Sequence, residues 1–249
     1  MPREPRKILI LGGTGQARHL AEKLVLNEDL FITTSLAGVT QDPQSVRGRV
    51  RSGGFGGAEG LRAYLEDEHI ELLIDAVHPF AAQMSANAVE AASAAEVRCL
   101  RLERPPWPKQ PGDRWREVDD VAGAAQAIAG NARALVTVGR QEIAPFFARE
   151  DIAVVARMIE APGIPVPDRA EVILARPPFT LQQETELMED RRIDVLVTKN
   201  SGGDDTVAKI SAARKLGLPV IIVKRPEKPD TVTARSVDEM IALIDGRSA

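Results

Sequence analysis

The sequence predicts an α/β protein of two Rossmann-like, doubly wound parallel-sheet domains with a ligand cleft between them. Three observations carry that expectation. Short apolar runs alternate with helix-period segments along almost the whole chain, the pattern of repeated βαβ units. Aromatic residues make up 4% of the 249 residues against 44% apolar, so the core is built from Ala, Val, Ile and Leu, as in parallel sheets covered on both faces. Arg104-Pro-Pro-Trp-Pro-Lys-Gln-Pro-Gly112 sets four prolines within nine residues, which excludes a helix or central strand and marks a connection between two halves.

In the first half, residues 7–11 read as a buried strand. Residues 16–26 follow as a helix, because Ala17, Leu20, Ala21 and Leu24 repeat at i, i+3, i+4 and i+7. Strands are expected at 30–35, 72–76 and 98–102, with helices at 61–68 and 80–95, the second of them rich in alanine. The second half repeats the layout. Strands are expected at 134–138, 152–156, 195–198 and 220–223, helices at 121–129, 181–190, 207–216 and 237–244, and a loop at 162–167. The domains are therefore expected at 1–103, binding a cofactor, and 104–249, binding a substrate. Exchange of a strand across that boundary is left open.

Composition narrows the partners. A net charge of −4 gives no global field toward nucleic acid or an anionic membrane. Cys99 is the single cysteine, and His19, His69 and His78 are scattered, so no metal cluster is expected. The apolar run Ile8-Leu-Ile-Leu11 is shorter than the roughly 7–15 residues of a signal-peptide core. No stretch approaches the ~20 apolar residues of a membrane span. A cytoplasmic monomer acting on a small molecule is the expectation.

The turn after the first strand, Gly12-Gly13-Thr14-Gly15-Gln16, sits where backbone N–H groups at a helix N-terminus can meet a pyrophosphate. Arg18 takes the third glycine place of the dinucleotide fingerprint counted from Gly13, and no Lys-Ser or Lys-Thr pair closes a P-loop. A βα turn without ligand is the competing reading. The second strand ends Thr33-Thr34-Ser35-Leu36-Ala37-Gly38 without a carboxylate to repel a 2′-phosphate. Ser35 can donate to such a phosphate, and Arg18, Arg47 and Arg49 are available charges, which favours NADP over NAD. Gly53-Gly54-Phe55-Gly56-Gly57 reads as a second close-approach segment or as a flexible turn. His78, in Asp75-Ala-Val-His-Pro-Phe-Ala81, reads as a cofactor contact or as a cap of the following helix.

These pieces recur in order in one family. The set is Leu11-Gly-Gly-Thr-Gly15, Ser35-Leu-Ala-Gly38, Gly53-Gly-Phe-Gly-Gly57, Asp75 with His78-Pro-Phe-Ala81, and Arg101-Leu-Glu-Arg-Pro105. It continues with Gly139-Arg140, Val197-Thr-Lys-Asn-Ser-Gly-Gly203, Ala212-Ala-Arg214 with Leu218-Pro219, and Arg225-Pro226. From near its first residue to about Pro226 the chain resembles the precorrin-6A reductases of cobalamin biosynthesis. The resemblance implies hydride transfer from NADPH to C19 of precorrin-6A, a proton added at C18, and precorrin-6B as product. Val39, Val77, Val138 and Pro177 depart from the family pattern, and Val39 stands where the pattern has a cation.

The substrate so implied is a polycarboxylate tetrapyrrole, so the second domain should present cations. Lys199 is the expected carboxylate anchor and proton donor, with Asn200, Ser201 and Gly202 forming an anion nest after it. Arg104, Arg140, Lys209, Arg214 and Arg225 are further carboxylate candidates, each of which also reads as ordinary surface charge. Trp107 lines the cleft or simply packs. A short-chain dehydrogenase is disfavoured, because it needs a Tyr with Lys four residues on; Tyr64 is the single tyrosine and position 68 is Glu. A non-catalytic NADP-sensing module is the alternative. It needs the first glycine turn but not the basic segment at 199–203.

Overall fold

The computed structural model describes residues 4–36 and 47–246. The chain divides into two compact units, Met1–Arg104 with Pro226–Ala249, and Pro105–Arg225. It begins β1 (Arg6–Leu11), α1 (Gly15–Leu24), β2 (Leu30–Leu36), β3 (Arg49–Ser52), α2 (Ala58–Asp67), β4 (Leu72–Asp75), α3 (Ala82–Ala94) and β5 (Arg98–Leu102). The other unit contains β6 (Arg114–Val118), α4 (Val121–Gln126), β7 (Arg133–Thr137), a 3-10 turn at Arg140–Glu142, α5 (Ala144–Phe147) and β8 (Ala153–Met158). It continues with β9 (Ala170–Leu174), α6 (Leu181–Asp190), β10 (Val195–Lys199), α7 (Ala208–Lys215) and β11 (Pro219–Val223). The chain then ends in β12 (Val232–Ala234) and α8 (Val237–Ile244).

The first unit is a six-stranded sheet in the order β3-β2-β1-β4-β5-β12. Its pairings are all parallel. β1 shows why a parallel strand reads as a continuous apolar run. Ile8 and Ile10 pack on one side with Leu20, Leu24 and Met240, and Leu9 and Leu11 pack on the other with Leu61, Leu65 and Ala88. The period of two thus presents apolar side chains to both faces. α1 starts where Thr14 caps it. The Thr14 hydroxyl accepts from the Ala17 N–H at 3.1 Å and donates to the Ala76 carbonyl at 2.8 Å, tying the turn after β1 to the end of β4.

The structure corrects the expected second domain of 104–249. Residues after Pro226 belong to the first unit, where β12 pairs with β5 and α8 buries Val237, Met240 and Ile244 beside α1. The physical reason is an edge and a face that the first unit otherwise leaves uncovered. Arg101 donates to the Pro229 carbonyl at 2.9 Å, Thr231 donates to the Cys99 carbonyl at 2.9 Å, and Lys228 pairs with Glu103. Arg101 is itself buried and held by Asp75 at 2.9 Å.

The second unit is also six-stranded and parallel, in the order β9-β8-β7-β10-β11-β6. Reading β7 as the first strand reproduces the 3-2-1-4-5-6 order of the first unit, with the sixth place taken by a strand that precedes the others. Leu135, Val155, Leu196, Val220 and Ile222 pack on Met188, Ile210 and Trp107. Both units are Rossmann-like. In each, strand order reverses at the middle, between β1 and β4 and between β7 and β10. Open α/β sheets bind ligands beyond the carboxyl ends of the strands at that reversal. Among the described residues no helix is long and apolar enough to cross a membrane, and no His, Cys, Asp or Glu group could hold a metal ion.

Candidate active site

At the β1/β4 reversal the expected glycines separate into two kinds. Gly12 is a packing glycine: a Cβ there would lie 2.9 Å from Thr34 Cγ2, and its N–H donates to the Ser35 carbonyl at 2.9 Å. Gly13 is the open one. It has φ of 101°, and among the described residues no heavy atom lies within 4 Å of where a Cβ would sit, so its backbone is bare there. Thr14 spends its hydroxyl on the cap. Gly15 and Gln16 open α1, where first-turn N–H groups lack intrahelical acceptors and the helix end is positive.

The segment from Gly53 to Gly57 follows β3. Gly53, Gly56 and Gly57 have φ of 107°, 82° and 97°, and among the described residues nothing lies within 4 Å of where a Cβ would sit. The Phe55 ring meets Tyr64 edge-on at 5.3 Å between centroids. The bare backbone at Gly13 and along this segment is a cradle that side chains would fill, and it fits a phosphorylated dinucleotide. His78 Nδ1 accepts from the Phe80 N–H at 3.3 Å, which places the proton of the neutral ring on Nε2. His78 therefore braces the turn before α3, whose first residue is Ala82.

The structure adds a residue that sequence reasoning missed. Ser35 is buried at the end of β2 and stands in register with Arg51 of β3, whose guanidinium donates to Ser35 Oγ at 2.7 Å. Arg49, expected as a phosphate partner, is instead held by Glu68 through two bonds of 2.7 and 3.0 Å. That hydrogen-bonded pairing keeps the Glu68 carboxyl below its ordinary range. Arg18 lies 3.8 Å from Glu22, and Arg47 is exposed. Ala37, Gly38 and Val39 lie outside the described residues.

At the β7/β10 reversal, Gly139 (φ 98°) is as open as Gly13 and leads into the turn of Arg140 and Glu142. Arg140 pairs with Glu160 at 3.2 Å. Lys199 ends β10, is 9% exposed, and pairs with Glu142, a partner that nothing local in the sequence marks. Burial pushes the Lys199 ammonium down to about 8.

Of the anion nest expected after Lys199, the Ser201 backbone donor is already engaged within the chain. The Ser201 N–H donates to the Lys199 carbonyl at 2.8 Å and its hydroxyl lies 3.4 Å from the same oxygen. Asn200 clamps the proline-rich segment, accepting from the Trp107 N–H at 2.8 Å and donating to its carbonyl at 3.4 Å. Trp107 Nε1 donates to the Gly203 carbonyl at 2.8 Å, so Trp107 is a buried packing residue. Lys209 is buried with its ammonium 5.3 Å from the Trp107 ring centroid. Arg225 donates to the Asn200 and Ser201 carbonyls at 2.9 and 3.0 Å, and Arg214 is held by Asp113 at 2.8 Å. Asn200, Arg214 and Arg225 thus tie together segments of the rim and Lys209 lies beside Trp107, while Arg140 and Lys199 each face a carboxylate of the protein itself. Arg104 closes the first segment of the other unit and is half-buried.

Gly202 keys that clamp. It has φ of 66°, and a Cβ there would collide with the Pro105 carbonyl oxygen and lie 2.8 Å from the Arg225 guanidinium. Gly202→Ala is expected to cost about 2–4 kcal/mol from left-handed strain and overpacking together. Chemical denaturation checks this, and a loss below about 0.5 kcal/mol, the size of a neutral surface change, would show that the loop yields freely.

Comparison with known proteins identifies a family. Residues 7–245 match the sequence model of the family described as precorrin-6x reductase CbiJ/CobK. A protein of Rhodococcus erythropolis named precorrin-6A reductase is 42% identical, over 96% of this chain and 96% of its own length. A Sinorhizobium protein of the same name is 44% identical, over 97% of this chain and 93% of its own. A solved structure titled CobK precorrin-6A reductase superposes with a TM-score of 0.92 at 39% identity, covering 98% of each chain.

Proposed function

The chain belongs to the precorrin-6x reductase family, and on that premise we propose that it is an NADPH-dependent reductase converting precorrin-6A to precorrin-6B. The observation that carries the reading is the bare backbone at Gly13 and at Gly53, Gly56 and Gly57 on the carboxyl rim of the first sheet. When bound there, NADPH supplies the hydride that reaches C19 of the macrocycle. Gly13 permits close approach of the pyrophosphate, and the Gly15 and Gln16 N–H groups donate to it at the positive end of α1. Gly54 and Phe55 border the bare segment, and His78 braces the turn at the end of β4.

In the second unit Arg140 receives a carboxylate arm of the substrate in place of Glu160, since a guanidinium fork matches either carboxylate. Lys199 anchors a second arm and delivers the proton to C18. Its burial makes it a workable acid near neutrality, while Glu142 alongside favours the charged form. The Asn200–Trp107 clamp and Gly202 hold Lys199 at the end of its strand, so they act as positioning residues.

The purified chain mixed with NADPH and precorrin-6A is expected to oxidise the cofactor in proportion to precorrin-6B formed. Saturable NADPH binding without turnover would defeat the reductase reading and leave a sensor.

A further inference from the structure

We propose that Arg51, aimed by Ser35, reads the 2′-phosphate of the cofactor and makes this chain select NADP over NAD; this rests on the nicotinamide-reductase reading above. In Rossmann-like sheets the end of the second strand is where the adenosine ribose is read, by a carboxylate for a free 2′-hydroxyl or by a nearby arginine for a 2′-phosphate. Ser35 is the penultimate residue of β2, and β3 carries Arg51 opposite it in register.

The guanidinium is fixed but not neutralised. It donates to Ser35 Oγ at 2.7 Å, the Gly53 carbonyl at 3.1 Å and the Gly54 carbonyl at 3.2 Å. It also lies 3.9 Å from the Phe55 ring centroid and 5.1 Å from that of Tyr64. Those partners are a hydroxyl, two carbonyls and two π-faces. Among the described residues no carboxylate pairs with Arg51, whereas its strand neighbour Arg49 is taken by Glu68. A guanidinium has five N–H donors; three are used in these bonds, which leaves two for an incoming anion. Ser35 accepts from Arg51, so its own O–H stays available as a donor. The carbonyls that hold Arg51 belong to the same glycine segment whose backbone is bare, so cation and cradle are assembled by one loop.

A held, half-buried cation with spare donors gains far more from a dianionic phosphate than from a neutral hydroxyl. Ser35 is the position where a carboxylate would reverse the preference by pairing with Arg51 and cancelling its charge.

The test is binding, measured on the full chain with NADPH, NADH, 2′,5′-ADP and 5′-AMP. The unaltered protein should bind NADPH and 2′,5′-ADP at least about tenfold more tightly than NADH and 5′-AMP. Arg51→Gln should weaken NADPH and 2′,5′-ADP by about 10- to 100-fold while leaving NADH and 5′-AMP within about twofold. Ser35→Asp should do the same without removing the arginine, and unchanged NADH binding reports that either variant is folded. A phosphate preference that survives Arg51→Gln, or an equal loss for both cofactors, would overturn the assignment. Equal binding of NADPH and NADH by the unaltered protein would also overturn it and leave the reductase reading standing. Binding of neither would remove the cofactor reading and this assignment together.

Discussion

Lys199→Met is expected to lower kcat by about 10²- to 10⁴-fold, the range over which a positioned general acid contributes. Lys199→Arg should separate the two roles proposed for this side chain. An arginine keeps a cation for the substrate carboxylate, so KM should move little, but it does not release a proton near neutrality, so kcat should fall almost as far. The pH profile gives a third readout. Lys199 has its pKa lowered to about 8 by burial, and the acid form is the one that donates, so kcat should fall about tenfold per pH unit above that value. Glu142→Gln removes the neighbouring negative charge and should move that alkaline limb to lower pH. The same shift affects stability with a definite sign. The folded lysine loses its proton from about 8 upward while the unfolded one holds it to about 10.5, so this group makes the fold relatively more stable as pH rises through that window. A Lys199→Arg enzyme with undiminished kcat would remove lysine as the proton source.

Arg157→Ala is expected to cost about 3–5 kcal/mol, because it strands a buried carboxylate. Glu184 is 0% exposed in α6 and is held by Arg157 of β8 through two bonds of 2.9 and 2.7 Å. The guanidinium also lies 3.9 Å from the Phe179 ring centroid just before that helix. For a chain of this length the loss corresponds to a fall in Tm of roughly 6–20 °C. Replacing both partners together, Arg157→Met with Glu184→Leu, should recover most of it, since the charge and its desolvation go together. A single-variant loss below about 1 kcal/mol, the size of an exposed pair, would mean that water reaches Glu184.

What the sequence made legible follows burial. The eight strands expected from it are the inner strands of the two sheets, where both faces are covered and apolar residues predominate, as in Ile8-Leu-Ile-Leu11. The four it did not reveal, β3, β6, β9 and β12, are the four sheet edges. Edge strands are short, half-solvated and often charged, and Arg-Val-Arg-Ser in β3 or Arg-Trp-Arg-Glu-Val in β6 carries no apolar run. The role proposed for Arg51 becomes visible only once β3 is paired with β2 in register, whereas Arg18, Arg47 and Arg49 stand out in the sequence as charges.

The return of the chain after Pro226 was hidden for a related reason. The periodicity of 237–244 announces an apolar helix face, but not which of two sheets it covers. At the sites, glycine spacing located both rims without distinguishing the bare backbone at Gly13 from the packing roles of Gly12 and Gly202. Charge likewise located the cations, but partners such as Asp113 for Arg214 and the Trp107 ring beside Lys209 arise from tertiary contact.

Isotope transfer tests the central claim most directly. NADPH carrying deuterium at the reactive face of its nicotinamide is incubated with the protein and precorrin-6A, and the product is weighed by mass spectrometry. The account predicts one deuterium in each precorrin-6B, carried at C19, for each NADP⁺ released. A reduced macrocycle free of deuterium, or oxidised cofactor with an unchanged macrocycle, would contradict it.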